Sequence, residues 1–534
     1  KCAEFWFNEL RLTDFDQRGG YAATMRAVAK LADFGTVSLS GSYSTVGFGG
    51  IDKAVQDRNK EEIFEYNLQT NLNLGQFFGN SGIRIPMYFG FGERIANPMF
   101  NELDPDIETP EAYDALDTQQ EKDSLKGIIQ DYTRRSSINF TNVRKERVMG
   151  NNNRPPAGPG VPRGPGAPTQ SAPKKEMPWD IENFSVTYSY NETFHRDVNT
   201  EYSVMKNTQG QLAYNFNSRP QNVRPFKNVS AFRSSQWLRI LSEANFYYLP
   251  SRFAFQTNVR RDYSETKLRN NTDALLLIEP NFNKAFTMDR VYDLKYDLTK
   301  NIKIDYSAIS NNRIDEPEGA IDDSARDSIW TNFWNGGRST RFHQTLNFNW
   351  NLPVNMLPIT DWTNVTYRYT SNYDWSTASI TRLSFGNTIQ NSNTQQWNVQ
   401  LNFTQLYNKV GFLKRAAQPN GRGQQQRRPS RRQPDPDQAE EEEEEENKLE
   451  LGKAALRVLM MVKNGNLSYS ESNGTLLPGY LPGTSYLGMT SYNGGMAPTL
   501  GFVFGDQSDI RDEAALNGWI TQDTLQPQRF AQTR

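Results

Sequence analysis

The sequence holds one cysteine, Cys2, and two histidines, His195 and His343, among 534 residues. A lone thiol excludes an intrachain disulfide framework, and so few Cys and His leave almost no parts for a metal cage or thiol–imidazole catalysis. An excess of charge of either sign is lacking as well. The formal net charge is −2, which gives no overall attraction to nucleic acid or to an anionic surface. Long apolar runs are missing: stretches such as Ala274 to Ile278 fall far short of the ~18 residues that a membrane-crossing helix needs, which excludes a helical membrane protein. No Walker-type glycine-rich loop occurs, so any energy for transport is expected from elsewhere. Hydrophobic residues make up 36% of the chain, against the ~45–50% of soluble globular domains counted on a slightly different residue set. That is a poor supply for a compact core. The chain starts at Lys1 with no signal-like apolar run behind it, and is expected to be an internal piece of a longer polypeptide.

What the chain does have is aromatic residues, 12% of the total, too many for a disordered polymer. They fall in a period of two. In FSVTYSYN, Phe184, Val186, Tyr188 and Tyr190 point to one side of an extended backbone, and Ser185, Thr187, Ser189 and Asn191 to the other. The pattern returns at Phe64, Tyr66, Leu68, Leu72 and Leu74, at Tyr202 with Val204, at Leu212 with Tyr214 and Phe216, and at Phe286 to Leu298. It continues at Leu346 to Leu352, at Val365 to Trp375, at Leu383 with Phe385 and Ile389, and at Trp397 to Phe403. Roughly eighteen strands can be counted this way. Soluble β-domains would carry apolar residues on both core faces somewhere along such a length. Here the second face stays Asn, Gln, Ser and Thr, which fits strands with one face in lipid and one in water. The fold class read from the residues is all-β, an antiparallel transmembrane barrel with long loops and low-complexity inserts.

The spacing predicts tight connections at 32–35, 207–210, 249–251, 299–301 and 464–465, and long ones at 46–62, 92–135, 261–285, 311–341 and 408–453. In the first tight turn Gly35 supplies a positive φ; in the last, Asn464-Gly465 supplies a type I′ turn. Within 92–135, Pro110 to Tyr132 reads as an amphipathic helix. The chain thus divides into a connecting segment (1–21), strands with that acidic helical loop (22–144) and a Pro/Gly-rich insert (145–183). More strands follow (184–407), then an Arg/Gln- and Glu-rich insert (408–453), then strands with Pro/Gly-rich rim or pore loops (454–534). Short turns on one side and long loops on the other is the outer-membrane pattern. It places the long loops and the Arg/Glu insert outside the cell, and 151–173 in the periplasm.

Trp237, Tyr247, Tyr248, Trp362 and Trp375 are candidates for the aromatic girdle. Asp14 with Asp16, and Asp104-Pro105-Asp106, have calcium-type chemistry but read better as solvated turns. No catalytic, cofactor or metal residue is assigned. LLPGYLPG at 476–483 and GGMAPTLGFVFG at 494–505 predict an ordered, non-strand feature, with Tyr480, Phe502 and Phe504 as packing anchors or as pore or partner contacts.

At NELRLTDFDQRGGYAA (8–23), SLSGSYSTVGFGG (38–50), YNETFHRDVNTEYSV (190–204) and LLPGYLPGTSYLGM (476–489), the chain resembles the SprA, or Sov, family of giant outer-membrane proteins of the type IX secretion system of Bacteroidota. The resemblance implies a single very wide barrel in the outer membrane that exports folded cargo carrying C-terminal sorting signals. It also implies a PorV-like plug or shuttle partner and other type IX components, with no enzymatic activity. A gated barrel receptor for nutrient uptake is the alternative.

Overall fold

The computed structural model describes residues 18–54, 57–147, 177–229, 232, 237–271, 277–411, 413, 458, 460–485, 487–523, 525 and 529–533. The chain divides into two units: Lys1–Phe216 with Ala254–Val291 and Ser310–Thr340, and Asn217–Phe253 with Tyr292–Ile309 and Arg341–Arg534. Both are built mostly of antiparallel β-sheet.

The first unit holds β1 (Ala22–Leu31), β2 (Gly35–Ser44), β3 (Glu61–Asn73), β4 (Ile83–Arg84) and β5 (Pro86–Pro98), then β6 (Phe100–Asn101) and β7 (Asp104–Glu108). Two longer strands follow, β8 (Asp131–Lys145) and β9 (Phe184–Arg196). Strands β10 (Thr200–Asn217), β11 (Arg252–Leu268), β12 (Asn281–Asp297), β13 (Ile302–Arg313) and β14 (Arg338–Leu352) give residues to both units. The second unit adds β15 (Thr363–Ser376), β16 (Asn387–Asn402), β17 (Asn464–Tyr480), β18 (Thr490–Tyr492), β19 (Gly495–Ala497) and β20 (Ala531–Thr533). Hydrogen-bonded neighbours run β1-β2-β3-β5-β8-β9-β10-β11-β12 in the first unit and β12-β13-β14-β15-β16-β17-β20 in the second. Successive strands being neighbours is a meander, the simplest outcome when each alternating stretch is followed by a reversal.

Register keeps the two faces distinct. Tyr188 pairs with Phe140 on one side and Gly210 on the other, while Ser189 pairs with Asn139 and Gln209. Directly opposed residues share a face, so the apolar residues of FSVTYSYN meet apolar or glycine neighbours and its hydroxyls meet amides. The β1–β2 reversal holds Gly35 at φ 158°, where a Cβ would lie 2.1 Å from the Asn71 carbonyl oxygen; the left-handed residue of that turn is Ala32, at φ 47°.

Several sequence expectations are corrected. Residues 207–210 form no turn: β10 runs unbroken, with Asn207 opposite Asn191 and Gly210 opposite Tyr188. Val204 and Leu212 are eight residues apart, so the alternation never changes phase, and the Asn-Thr-Gln-Gly composition is overridden by ladder pairing. The segment before 249–251 is not a strand but an irregular connection holding α3 (Arg239–Ser242) and one isolated bridge, Val223 to Phe246. The expected 92–135 loop is shortened at both ends by β5 and β8, and its helix splits in two, α1 (Thr109–Asp114) and α2 (Gln119–Ile129). Thr118 starts α2 afresh: its side chain accepts from Glu121 N while Glu121 accepts from Thr118 N, a reciprocal cap that satisfies two orphan donors. The expected loops at 261–285 and 311–341 shrink likewise, to 269–280 and 314–337. The latter contains α4 (Asp323–Trp334), whose Ile329 packs on Phe286 and Met288 of β12.

Leu383 and Phe385 belong to a 3₁₀ turn, and Phe403 opens α5 (Phe403–Lys409) rather than ending a strand. Asn464-Gly465 is not a hairpin turn either; it begins β17, with Gly465 opposite Leu401. This changes the sidedness of the second unit. The connection from β16 to β17, which contains the Arg/Glu insert, leaves from the sheet edge that carries the tight 298–301 reversal, where Thr299 N bonds Ile302 O and Asn351 N bonds Asn301 O. The two described ends of that connection are therefore on the short-turn edge, not the long-loop edge. Residues of both low-complexity inserts, 151–173 and 414–447, lie outside the described residues.

Candidate functional site

In the second unit one stretch of strand face is covered, and the cover is the chain that follows β17. It runs through the β18–β19 hairpin, α6 (Leu500–Val503) and α7 (Arg511–Leu516) to Trp519. Beneath it Phe342, Tyr373, Trp375, Ile389 and Leu477 form one buried cluster with Tyr480, Met489, Phe502, Val503 and Trp519. Cross-strand pairing explains the assembly. Phe342 opposes Trp375, Gln344 opposes Tyr373, Trp375 opposes Ile389, and Ile389 opposes Leu477.

A four-residue helix is far too short to persist alone, and α6 is fixed from outside at both ends. At its start the Thr499 hydroxyl accepts from Phe502 N at 3.4 Å. At its end, the carbonyls of its last turn and of the residues just beyond it meet side chains of the strands. Asn391 Nδ2 donates to Phe502 O and Asp506 O, both at 2.8 Å, and Gln344 Nε2 to Val503 O at 3.2 Å. Tyr369 Oη donates to Phe504 O at 2.6 Å, and Asn393 Nδ2 to Gly505 O at 2.5 Å. Gln507 closes the network, donating to Asn391 Oδ1 and accepting from Thr475 Oγ1. Gly505 sits at φ 93°, and a Cβ there would fall 2.7 Å from Tyr369 Oη; the backbone approaches the sheet so closely that no side chain fits. Two further donors hold the preceding segment: Tyr373 Oη to Gly488 O and Trp375 Nε1 to Pro482 O, each at 3.2 Å.

Of the three residues expected to anchor this region, Tyr480 and Phe502 join the buried cluster and Phe504 does not. Tyr480, the last residue of β17, is fully buried, edge-on to Trp519 with centroids 6.3 Å apart. Its hydroxyl finds no partner among the described residues. Phe502 is buried edge-on to Tyr373 at 6.2 Å, and Phe504, half-buried, contributes its carbonyl to Tyr369. The expectation that LLPGYLPG is wholly non-strand is corrected: Leu476 to Tyr480 lie in β17, and Pro478 sits where the register shifts by one, an arrangement that spares the ladder its missing N–H. Trp375 is corrected as a girdle candidate, being 3% exposed under Pro482. Trp237 and Tyr248 are exposed but sit in the irregular connection, and Trp362 donates to Ile359 O beside Phe403.

The residues missed from the sequence are Gln344, Asn391, Asn393 and Thr475. The signal was present: Asn391 and Asn393 share their phase with Ile389 and Trp397, so amides interrupt the apolar face itself. Elsewhere, His195 meets Asp197 and Thr133 at 3.0 Å each, and His343 meets Asp374 at 2.9 Å. Asp104 and Asp106 lie in β7, Asp14 and Asp16 fall outside the described residues, and among the described residues no group of three or more His, Cys, Asp or Glu could hold a metal.

In the part of the covering segment clear of the strands, the Arg511 guanidinium and backbone N–H hold the Asp509 carboxyl down at about 2. Among the described residues no helix is long and apolar enough to cross a membrane. No curated protein matches the chain. Residues 1–112, which include β1 to β7, match the SprA_N family model, described as a motility related/secretion protein, and this match makes the N-terminal part of the chain similar to proteins of motility and secretion.

Proposed function

We propose that this chain forms a stretch of the wall of an outer-membrane barrel that conducts folded proteins bearing C-terminal sorting signals, as part of a type IX secretion system in a Gram-negative bacterium of the Bacteroidota. The observation that carries the reading is a coincidence in the N-terminal region. The residues matching a motility and secretion family are the ones that begin a meander with one apolar, exposed face and one face mostly of amides and hydroxyls, with Arg26, Lys30, Glu65 and Arg94 among them. A soluble sheet would bury the first face; a barrel wall turns it to lipid and the second to a wet lumen. A lumen lined mostly by uncharged polar groups passes bulky cargo without gripping it. A pore of that width would leak at rest, so a PorV-like plug or shuttle protein and the other type IX components complete the machine.

Depletion of the full-length protein tests this. The channel reading requires signal-bearing cargo to accumulate in the periplasm. Continued secretion with lost uptake of one nutrient would overturn it in favour of a gated receptor barrel.

A further inference from the structure

The apolar face of the first unit is crossed by a row of ionic groups. Register sets Tyr66 opposite Glu93, Glu93 opposite Arg134, and Glu192 opposite Lys206, with Glu192 one pair along from Arg134. The groups satisfy one another: Glu93 accepts from Tyr66 Oη at 2.8 Å and from Tyr132 Oη at 2.7 Å, while Glu192 accepts from Arg134 at 3.2 Å and from Tyr190 Oη at 2.5 Å. Arg134 also lies over the Phe194 ring, 5.8 Å from its centre.

On β1 to β10, from this row to the level of Val143, Val186 and Leu212, the same face holds no Asp, Glu, Lys or Arg among its paired positions; toward the edge that carries the β1–β2 reversal the next charge is Lys145, opposite Ile83 and paired with Glu182. Within the uncharged stretch Leu72 opposes Met87, Phe89 opposes Ile138, and Val186 opposes Leu212. Nor is it covered: Phe184, Val186 and Tyr188 are 41%, 45% and 40% exposed. Beyond the row the face is aromatic again, with Phe194 and Tyr132, but Arg196 lies over Tyr132 at 5.1 Å and donates to Gln130 just past α2.

Resting on the barrel reading above, we infer that this row marks where lipid ends: acyl chains of the outer membrane cover the band from Phe184 to Tyr188 and its neighbours, and the strand ends beyond Glu192 stand in water. Carboxylates and guanidinium groups facing hydrocarbon are unfavourable in a depth-dependent way and tolerated at the interface. Tyrosines with rings in the band and hydroxyls on carboxylates are the amphipathic residues an interface collects. The size is suitable. From Tyr214 to Lys206 is eight steps, about 27 Å along the strand, or about 20 Å of height at a tilt of ~40°, close to the ~25 Å apolar band of such barrels.

The test is depth-dependent quenching. Single cysteines are placed at Val186, Tyr188 and Phe194 of the full-length protein carrying Cys2→Ser. Each is labelled with a bimane and quenched by lipids brominated on the acyl chain. The expected result is strong quenching, two-fold or more, at 186 and 188, and under a tenth at 194. Equal quenching at all three would overturn the boundary while leaving the barrel standing. No quenching at any of them, with bilayer insertion established by flotation, would overturn the barrel reading itself. Arg134→Leu with Glu192→Leu sharpens the result: removing the ionic row should raise quenching at 194, and no change would count against the row as the boundary.

Discussion

The apolar strand face meets two fates. On β9, Val186 and Tyr188 are left open; on β15 and β16, Tyr373 and Ile389 are sealed beneath the segment that follows β17. Apolar content does not separate them, since both stretches alternate aromatic or aliphatic residues with polar ones. What differs is the polar group placed in the apolar phase. On β8 and β9 it is ionic and completes its bonds within the face, Arg134 with Glu192. On β14 and β16 it is an amide, and its bonds go to the backbone of another segment, Asn391 to Phe502 and Asp506. A neutral amide offers donors that need a partner once water is excluded, and orphan helix carbonyls are such partners.

The largest effect expected from this contrast is on the buried aromatics. Tyr373→Ala should cost ~3–5 kcal/mol, seen as loss of hydrogen-exchange protection around Trp519; Tyr188→Ala, on the open face, should leave that protection unchanged. Equal effects would erase the distinction between the two faces. Next is the amide clamp: Asn391→Ala takes the side-chain donor from Phe502 O and Asp506 O, leaving the first only its bond from Gly505 N, and should cost ~1–3 kcal/mol. Asn191→Ala, whose exposed side chain reaches Ser189, should stay within ~0.5 kcal/mol. Tyr480→Phe removes a buried hydroxyl that has no described partner, so thermal unfolding should show stability unchanged or raised by ~1 kcal/mol; a clear loss would mean that the hydroxyl is bonded.

The smallest effect is at Asp509. Its carboxyl is depressed from 3.8 to about 2 by Arg511, so its contribution is complete above the unfolded value and disappears as pH falls through the folded one. Arg511→Ala should abolish that contribution. Relative to the native protein, pepsin cleavage within 481–523 should be slightly faster above about pH 4, and the two should converge near pH 2.

Much of this was legible in the chain. FSVTYSYN predicts β9 because a period of two needs only local information, and so does the reversal at 299–301. The single β10 was legible in the unbroken phase from Val204 to Leu212 but was masked by turn-like composition at 207–210. The cover over β14–β17 was legible in its anchors, Tyr480 and Phe502, and not in its clamp. Asn391 and Phe502 are 111 positions apart, and nothing near either residue marks the other as its partner. The edge from which the connection to β17 leaves depends on the strand count before it, and taking Leu383–Ile389 and Trp397–Phe403 as two strands, where the structure has the single β16, was enough to misplace it.

The central claim is that these strands are a membrane wall with the apolar face outward and the wet face in water. Cysteines placed one at a time from Phe184 to Asn191 in a Cys2→Ser background, with the channel unplugged, test it directly by reaction with a membrane-impermeant maleimide on spheroplast-free outer membranes. The account predicts labelling at Ser185, Thr187, Ser189 and Asn191 and protection at Phe184, Val186 and Tyr188, a period of two along the strand. Uniform labelling, uniform protection, or protection on the hydroxyl side would contradict it.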